Sequence, residues 1–372
     1  MPPSAPNALD ELSQRLLNAL QVAIPLVPSP WAALAAELGT TESEILARLS
    51  ALRTPQPPAR PLIRQISAIF DSKSLGYAST LIAARIEEAH LEEAAAIINR
   101  HPGVSHNYRR NHAFNLWYTL AVPPDSALGL ERTVDILHRQ SGALSTRMLP
   151  TLKLFKIGVK FDLTADADAP VDTTSVATTA APAYDESRRE AASSRPLTET
   201  DKRLIRILQQ DLPLIAEPFA PWAAQAGVTV AELLAAASDY LSRGLMRRFS
   251  AVLRHREAGF SANAMGVWAV PADPSDAQDT FGRAAAAFPA VSHCYLRRSY
   301  PDWPYTLFTM VHAPTQPDCE KVLAAISAAT GVRDYAALYS TKEYKKVRVQ
   351  YFLPDIPAWE QAVLATPEGR TP

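Results

Sequence analysis

Two imidazoles, two guanidiniums and a phenol crowd one short stretch of the chain: His106, Tyr108, Arg109, Arg110 and His112. The stretch opens at the turn signal Pro102-Gly103 and runs on into Asn115-Leu116-Trp117-Tyr118-Thr119-Leu120, rich in aromatic and β-branched residues. That composition reads as a strand, a polar corner and a returning strand. Side chains alternate along a strand, so His106, Tyr108 and Arg110 fall on one face. Guanidiniums hold anions, and imidazole is the side chain whose ordinary pKa lies nearest neutrality. The combination describes a site for an anionic substrate that must exchange protons.

The chain writes this pattern twice. Val291-Ser292-His293-Cys294-Tyr295-Leu296-Arg297-Arg298 matches the first stretch, with Tyr305-Thr306-Leu307-Phe308-Thr309-Met310 as the return. His293, Tyr295 and Arg297 again share a face. Around them the likeness extends over both halves. Arg64 and Ser67 correspond to Arg247 and Ser250, Gly76 to Gly259, and Lys156 to Lys346. The separation drifts from 183 at Arg64 and Arg247 to 187 at His106 and His293 and 190 at Lys156 and Lys346, as small loop insertions would produce. This is a tandem duplication. A tether raises the effective concentration of two like halves, so they are expected to pack as a pseudo-twofold dimer within one chain.

Each half has two parts. Residues 1–60 and 200–244 carry apolar residues at helical spacing, punctuated by the turns Gly39-Thr40-Thr41 and Gly227-Val228-Thr229. They read as helix-turn-helix domains, with Thr41 and Glu44 forming a capping box. Residues 61–163 and 245–355 read as β-β-α-β-β-α-β, a small sheet with helices on one face and therefore an α+β layer. Between the halves, 164–199 is rich in Ala, Thr, Ser, Asp and Pro and has no period, which makes it a flexible linker. Residues 1–10 look frayed.

Length and charge narrow the function classes. At 372 residues the chain accommodates several cores, and 37 basic against 38 acidic residues leave a net charge of -1. No whole-protein field favours DNA or an anionic membrane, so an anion site must be a local cluster. Cys294 and Cys319 make neither a disulfide framework nor a zinc pattern, which suits a reduced cytoplasmic protein. No signal peptide, membrane-length apolar run, GxGxxG or Walker loop appears. A DNA-reading helix needs surplus cations. The segment 40–53 balances Glu42 and Glu44 against Arg48 and Arg53, and 229–243 sets Glu232 and Asp239 against Arg243. The helix-turn-helix outline with its α+β partner resembles the leucine-responsive, feast/famine regulators, and a ligand-sensing regulator is the competing reading. The charge balance argues against DNA binding.

At Ser105-His106-Asn107-Tyr108 and Asn115-Leu116-Trp117-Tyr118-Thr119 the first half resembles the D-type half of siroheme decarboxylases. The second half, at Ser292-His293-Cys294-Tyr295 and Trp303-Pro304-Tyr305, is similar to the L-type half. The resemblance implies a winged helix-turn-helix followed by a ferredoxin-like (βαββαβ-type) sheet domain in each half. It also implies loss of the C12 and C18 acetate carboxylates of siroheme on the way to haem d1 or haem. Two departures are Thr306, where the family often has Asn as at Asn115, and the lack of a second-half counterpart to His112. The implied substrate is a polyanionic iron macrocycle, and its iron is part of the substrate, so no separate cofactor or metal site is expected. On this reading His106 and His293 are the leading acid/base pair, or ligands to the substrate iron. His112 assists, and Tyr108 and Tyr295 orient substrate or relay protons. Arg109, Arg110, Arg297, Arg298, Arg64, Arg247, Arg248, Lys156 and Lys346 are the candidates for binding carboxylates, with Trp117, Trp303 and Tyr305 walling the macrocycle. His101, His138, His255 and His312 are read as structural, and Cys294 as packing. Siroheme is the expected partner; the resemblance also admits a further homo-oligomer and related decarboxylase subunits.

Overall fold

The computed structural model describes residues 9–55, 61–157, 196–253 and 262–365. Residues 1–8, most of the expected linker (164–195), Gly259 and His255 lie outside the described residues. The chain divides into two units, each built from both halves of the sequence.

The first unit contains α1 (Glu11–Val22), α2 (Pro30–Leu38), α3 (Glu42–Arg53) and β1 (Ile63–Phe70). The second half contributes α6 (Glu199–Leu208), α7 (Phe219–Ala226), α8 (Val230–Ser242) and β7 (Met246–Leu253) to it. Four of these helices, α1, α3, α6 and α8, start at a side-chain cap. Asp10 accepts from Ser13 N, and both Thr198–Asp201 and Thr229–Glu232 form reciprocal capping boxes. Thr41 accepts from Glu44 N, but the Glu44 carboxylate is taken by Arg48 at 2.6 Å, so the expected box there is half-formed. β1 and β7 pair antiparallel, with the buried Ser67 opposite the buried Ser250. The sequence borders at 60/61 and 244/245 assign these strands to the sheet domains. The structure keeps them with the helices, because the strands find ladder partners in each other while Ile66, Phe70, Phe249 and Leu253 are buried.

The second unit holds two five-stranded antiparallel sheets. One is ordered β12-β3-β4-β2-β5 and the other β6-β9-β10-β8-β11. In the first half these are β2 (Ala78–Arg85), β3 (Val104–Arg110), β4 (Leu116–Val122), β5 (Ser145–Leu149) and β6 (Thr151–Ile157). In the second they are β8 (Ala262–Trp268), β9 (Val291–Arg297), β10 (Leu307–Ala313), β11 (Tyr335–Leu338) and β12 (Ser340–Lys346). Together with α4 (Leu91–Asn99) and α5 (Gly129–Gln140), or α9 (Ala277–Ala286) and α10 (Gln316–Thr330), four strands of each half form a ferredoxin-like layer. The fifth strand is exchanged. After Leu149 closes β5, Pro150 interrupts the ladder, and the chain continues as β6 on the edge of the other half's sheet, paired to β9. β12 pairs reciprocally to β3.

Helices cover one face of each sheet, as the buried Ile98, Val134 and Leu137 do for the first and Phe281, Val322 and Ile326 for the second. The opposite faces share a third cluster, in which Trp117, Leu149, Trp303, Phe308 and Leu338 are buried together. A C-terminal helix, α11 (Asp355–Leu364), closes the unit. Its Glu360 is buried and accepts from the backbone N–H of Ala127 at 3.0 Å and from Ser126 Oγ, holding the approach to α5.

Candidate active site

β3 places His106, Tyr108 and Arg110 on the sheet face that looks away from the helices. Asn107, on the other face, donates to Ala95 O and Asn99 Oδ1 of α4. The ring centroids of His106 and Tyr108 are 6.1 Å apart, and the Arg110 guanidinium lies 5.8 Å from the Tyr108 ring and 6.0 Å from Trp117. β9 repeats the arrangement. His293 and Tyr295 stack at 6.0 Å, with Arg297 4.7 Å over Tyr295 and 5.4 Å from Phe308. The expected alternation therefore holds in both halves.

The two inner arginines are the electrostatic centre of the site. Arg110 is buried, and its Nη1 donates to Leu338 O at 3.0 Å; Arg297 is buried, and its Nη1 donates to Leu149 O at 2.5 Å. Each therefore crosses to the end of a strand from the opposite half. Among the described residues neither has a carboxylate partner, and the Nε of each is buried without a hydrogen-bond partner. Burial pulls both guanidiniums down to about 10, because a low-dielectric setting penalises the charged form. A buried, uncompensated cation is costly unless an anion joins it.

Both histidines are held from behind by a serine that a β-bulge turns towards them. In β3 the register passes from Val104 opposite Leu120 to His106 opposite Thr119, and in β9 from Val291 opposite Val311 to His293 opposite Met310. Ser105 and Ser292 are the extra residues. Ser105 Oγ is 3.0 Å from His106 Nδ1 and 2.7 Å from Thr119 Oγ1, which also accepts from His106 N at 3.2 Å. Ser292 Oγ is 2.8 Å from His293 Nδ1 and 3.2 Å from Met310 O. These hydroxyls are the functional groups that reading the sequence for chemistry passes over, although Ser-His recurs in both halves.

The exchanged strands make the two faces unequal. Lys346 lies opposite His106 and Glu343 opposite Tyr108, whereas Ile157 lies opposite His293 and Leu154 opposite Tyr295. The register also corrects the sequence pairing of the lysines. Lys156 faces Cys294 and Lys345 faces Asn107, so Lys345 is the counterpart of Lys156: β6 and β12 carry their bulges at matched places and correspond at a separation of 189, not 190. Lys156 points to the helix side, donating to Phe288 O at 2.8 Å, while Lys346 stays on the histidine face, 3.9 Å from Glu343.

The remaining expected residues scatter. Arg109 is paired with Glu88, and Arg298 is exposed just beyond β9. Arg64, Arg247 and Arg248 belong to the first unit, where Arg247 pairs with the buried Asp71 at 2.5 Å. Trp117 and Trp303, expected as macrocycle walls, are fully buried 5.2 Å apart in the core shared by the sheets. Tyr305, half-buried, packs 5.0 Å from Trp303. His112 occupies the β3–β4 corner, where its Nδ1 accepts from Phe114 N at 3.0 Å and its ring meets Trp303 edge-on at 5.3 Å; burial lowers its pKa. Thr306 does what Asn115 does. The Asn115 amide accepts from Ile86 N and donates to Ile86 O, and the Thr306 hydroxyl brackets Val270 in the same way. The departure at Thr306 is therefore a structural substitution with the same partners.

Comparison with known proteins agrees with this architecture. Residues 13–55 and 201–247 match the model of the siroheme decarboxylase NirDL-like HTH domain, and 74–156 and 257–345 match the AsnC-like ligand binding domain. The siroheme decarboxylase of Hydrogenobacter thermophilus is 39% identical over 94% of this chain and 98% of its own length. The chain belongs to the siroheme decarboxylase family. A crystal structure of the siroheme decarboxylase NirDL in co-complex with an iron-uroporphyrin III analogue is 34% identical, with a TM-score of 0.73 over 95% of this chain and 99% of that one. A half-length member, the siroheme decarboxylase beta subunit of Methanosarcina barkeri, is 44% identical over 41% of this chain and 99% of its own. Such half-length relatives fit the duplication: in this member of the family the two halves are one polypeptide.

Proposed function

We propose that this chain is a non-oxidative carboxy-lyase that removes the C12 and C18 acetate carboxylates of siroheme, giving 12,18-didecarboxysiroheme. The observation that carries the proposal is the pair of buried guanidiniums, Arg110 and Arg297, each uncompensated by a carboxylate among the described residues and each beside a His–Tyr pair. A polyanionic substrate supplies the missing charge. At each acetate the C–C bond to the carboxylate breaks, CO2 leaves, and the electron pair passes into the macrocycle. The methylene carbon then takes one proton to become a methyl group. No oxidant or reductant enters that balance, and the macrocycle is its own electron sink.

His106 and His293 are assigned to proton transfer and hydrogen bonding at the reacting groups, and Tyr108 and Tyr295 to orienting them. Arg110 and Arg297 hold positive potential over the two faces, with Lys346 adding to the first. His112 stands behind this face as a support. Arg109 and Lys156, already engaged elsewhere, are left out of the substrate contacts. The halves act as an intramolecular pseudo-dimer tied by the exchanged β6 and β12, and the chain works in the cytoplasm.

Against the regulator reading, the arginines of the helices that would read DNA are already bonded to carboxylates. In α3, Arg48 is bonded to Asp10 and Glu44 and Arg53 to Asp211, and at the end of α8 Arg243 is bonded to Asp239. The deciding experiment is anaerobic incubation of the purified chain with siroheme, followed by product mass. Loss of two CO2 supports the proposal. Tight binding with unchanged mass leaves a carrier, and no spectral change on mixing returns the reading to a regulator.

A further inference from the structure

The hydroxyls behind His106 and His293 differ, and hydrogen counting separates the two rings. Ser292 has one hydroxyl hydrogen and two neighbours, the Met310 carbonyl and His293 Nδ1. The carbonyl only accepts. Ser292 therefore donates to Met310 O, and His293 donates to it from Nδ1. Neutral His293 then has its lone pair on Nε2. Protonation at Nε2 leaves the Nδ1–Ser292–Met310 chain untouched.

The first half has a hydroxyl where the second has a carbonyl. Thr119 Oγ1 accepts from the backbone N–H of His106, and its own hydrogen has Ser105 Oγ as its acceptor among the described residues. That donation leaves the Ser105 hydrogen for His106 Nδ1. Neutral His106 is thereby fixed with its proton on Nε2. Turning it into an imidazolium would put a second hydrogen between Nδ1 and Ser105 and require both hydroxyls to reverse. Thr119 and Met310 occupy matched places, each opposite its histidine in the ladder.

We propose that the two histidines are held in opposite tautomers by positioning residues. Ser292 keeps His293 protonated at Nδ1 so that its Nε2 gains and loses the working proton. Ser105 and Thr119 keep His106 a neutral Nε2–H donor to the substrate. The inference rests on the site reading above for the chemistry, but the tautomers are properties of the substrate-free chain.

The test is long-range ¹H–¹⁵N NMR of the full chain labelled at histidine, without substrate, with signals assigned from His106→Gln and His293→Gln. The expected pattern is Nδ1–H for His293 and Nε2–H for His106. Ser292→Ala should move His293 towards Nε2–H, and Thr119→Met, which installs the second-half residue, should move His106 towards Nδ1–H. Thr119→Ser retains a hydroxyl and should leave His106 unchanged, which separates tautomer control from general damage. In turnover, Ser292→Ala should lower kcat by at least about tenfold with little change in KM, a partial version of the loss caused by a histidine in the wrong tautomer. The same tautomer at both rings, or rings indifferent to Ser292→Ala and Thr119→Met in folded protein, overturns the proposal whatever the activity. The native tautomer pattern in a chain inert towards siroheme would instead count against the function.

Discussion

Replacing Arg110 by methionine should leave the empty fold at least as stable and weaken the complex. The guanidinium is lowered from 12.5 to about 10 by burial. That depression corresponds to a penalty of roughly 3 kcal/mol for keeping the charge at neutral pH. Methionine fills much of the same volume without charge. It forfeits the Nη1 bond to Leu338 O, at a cost of about 1–2 kcal/mol for an orphaned carbonyl. The net expectation for Arg110→Met is stability unchanged or raised by about 1–2 kcal/mol, read from urea or thermal unfolding of the substrate-free chain. Siroheme binding, followed by absorbance titration, should weaken by roughly 10–100-fold, since a hydrogen bond to a charged group contributes about 1.5–3 kcal/mol. Arg297→Met should behave alike, because it too is buried, donates to a backbone carbonyl, that of Leu149, and has its pKa lowered to about 10. A variant clearly less stable than the parent yet binding siroheme normally would show the arginines to be ties between the halves and not an anion site.

Three further outcomes follow from the second unit. Burial lowers His101 to about 3, with Lys345 adding to the effect, so the unfolded chain takes up a proton below pH 6.5 that the folded chain refuses. Stability should therefore fall by about 1.4 kcal/mol per pH unit between pH 6.5 and 3. His101→Phe, which copies Phe288 at the matching place in the second half, should flatten that slope in acid unfolding curves; an unchanged slope would rule His101 out. Glu360→Ala removes the acceptor for Ser126 Oγ and the backbone N–H of Ala127, and should cost about 2–3 kcal/mol in denaturant unfolding, whereas a neutral result would mean that α11 is not a clamp. Thr306→Asn should keep both bonds to Val270 and shift stability by less than about 1 kcal/mol; a loss several times larger would show that the Asn115 comparison is wrong.

Much of this fold is legible because its signals are local. The glycine turns at Gly39 and Gly227 that separate helices are legible as such, each glycine taking the left-handed backbone conformation, and the shared face of His106, Tyr108 and Arg110 follows from strand alternation alone. The duplication is equally plain, because Ser-His recurs before Tyr and Arg. What the sequence hides is which strand pairs with which. Pro150 marks a break in an extended run, but nothing local says that the chain then joins the other half's sheet, and β1 carries no sign that its partner is β7. Register hides as well. Lysines recur along both strands, so Lys156 and Lys346 look matched when the ladder makes Lys345 the true counterpart. The site residues are obscured in a related way. An arginine in a motif looks the same whether it is buried without a carboxylate partner, as Arg110 is, or half-buried and paired with Glu88, as Arg109 is. Aromatic side chains such as Trp117 and Trp303 suit a macrocycle wall and a core equally, and packing between the sheets claimed them.

If the two histidine faces, each backed by a buried guanidinium, receive the carboxylates of the macrocycle, a crystal structure of this chain with bound siroheme will show it. Substrate carboxylates should lie on the β3 or β9 face, with a nitrogen of Arg110 or Arg297 within roughly 2.7–2.9 Å of a carboxylate oxygen and His106 or His293 beside a reacting acetate. A macrocycle seated among the helices of the first unit, with both guanidiniums left as they stand in the empty chain, would contradict that assignment.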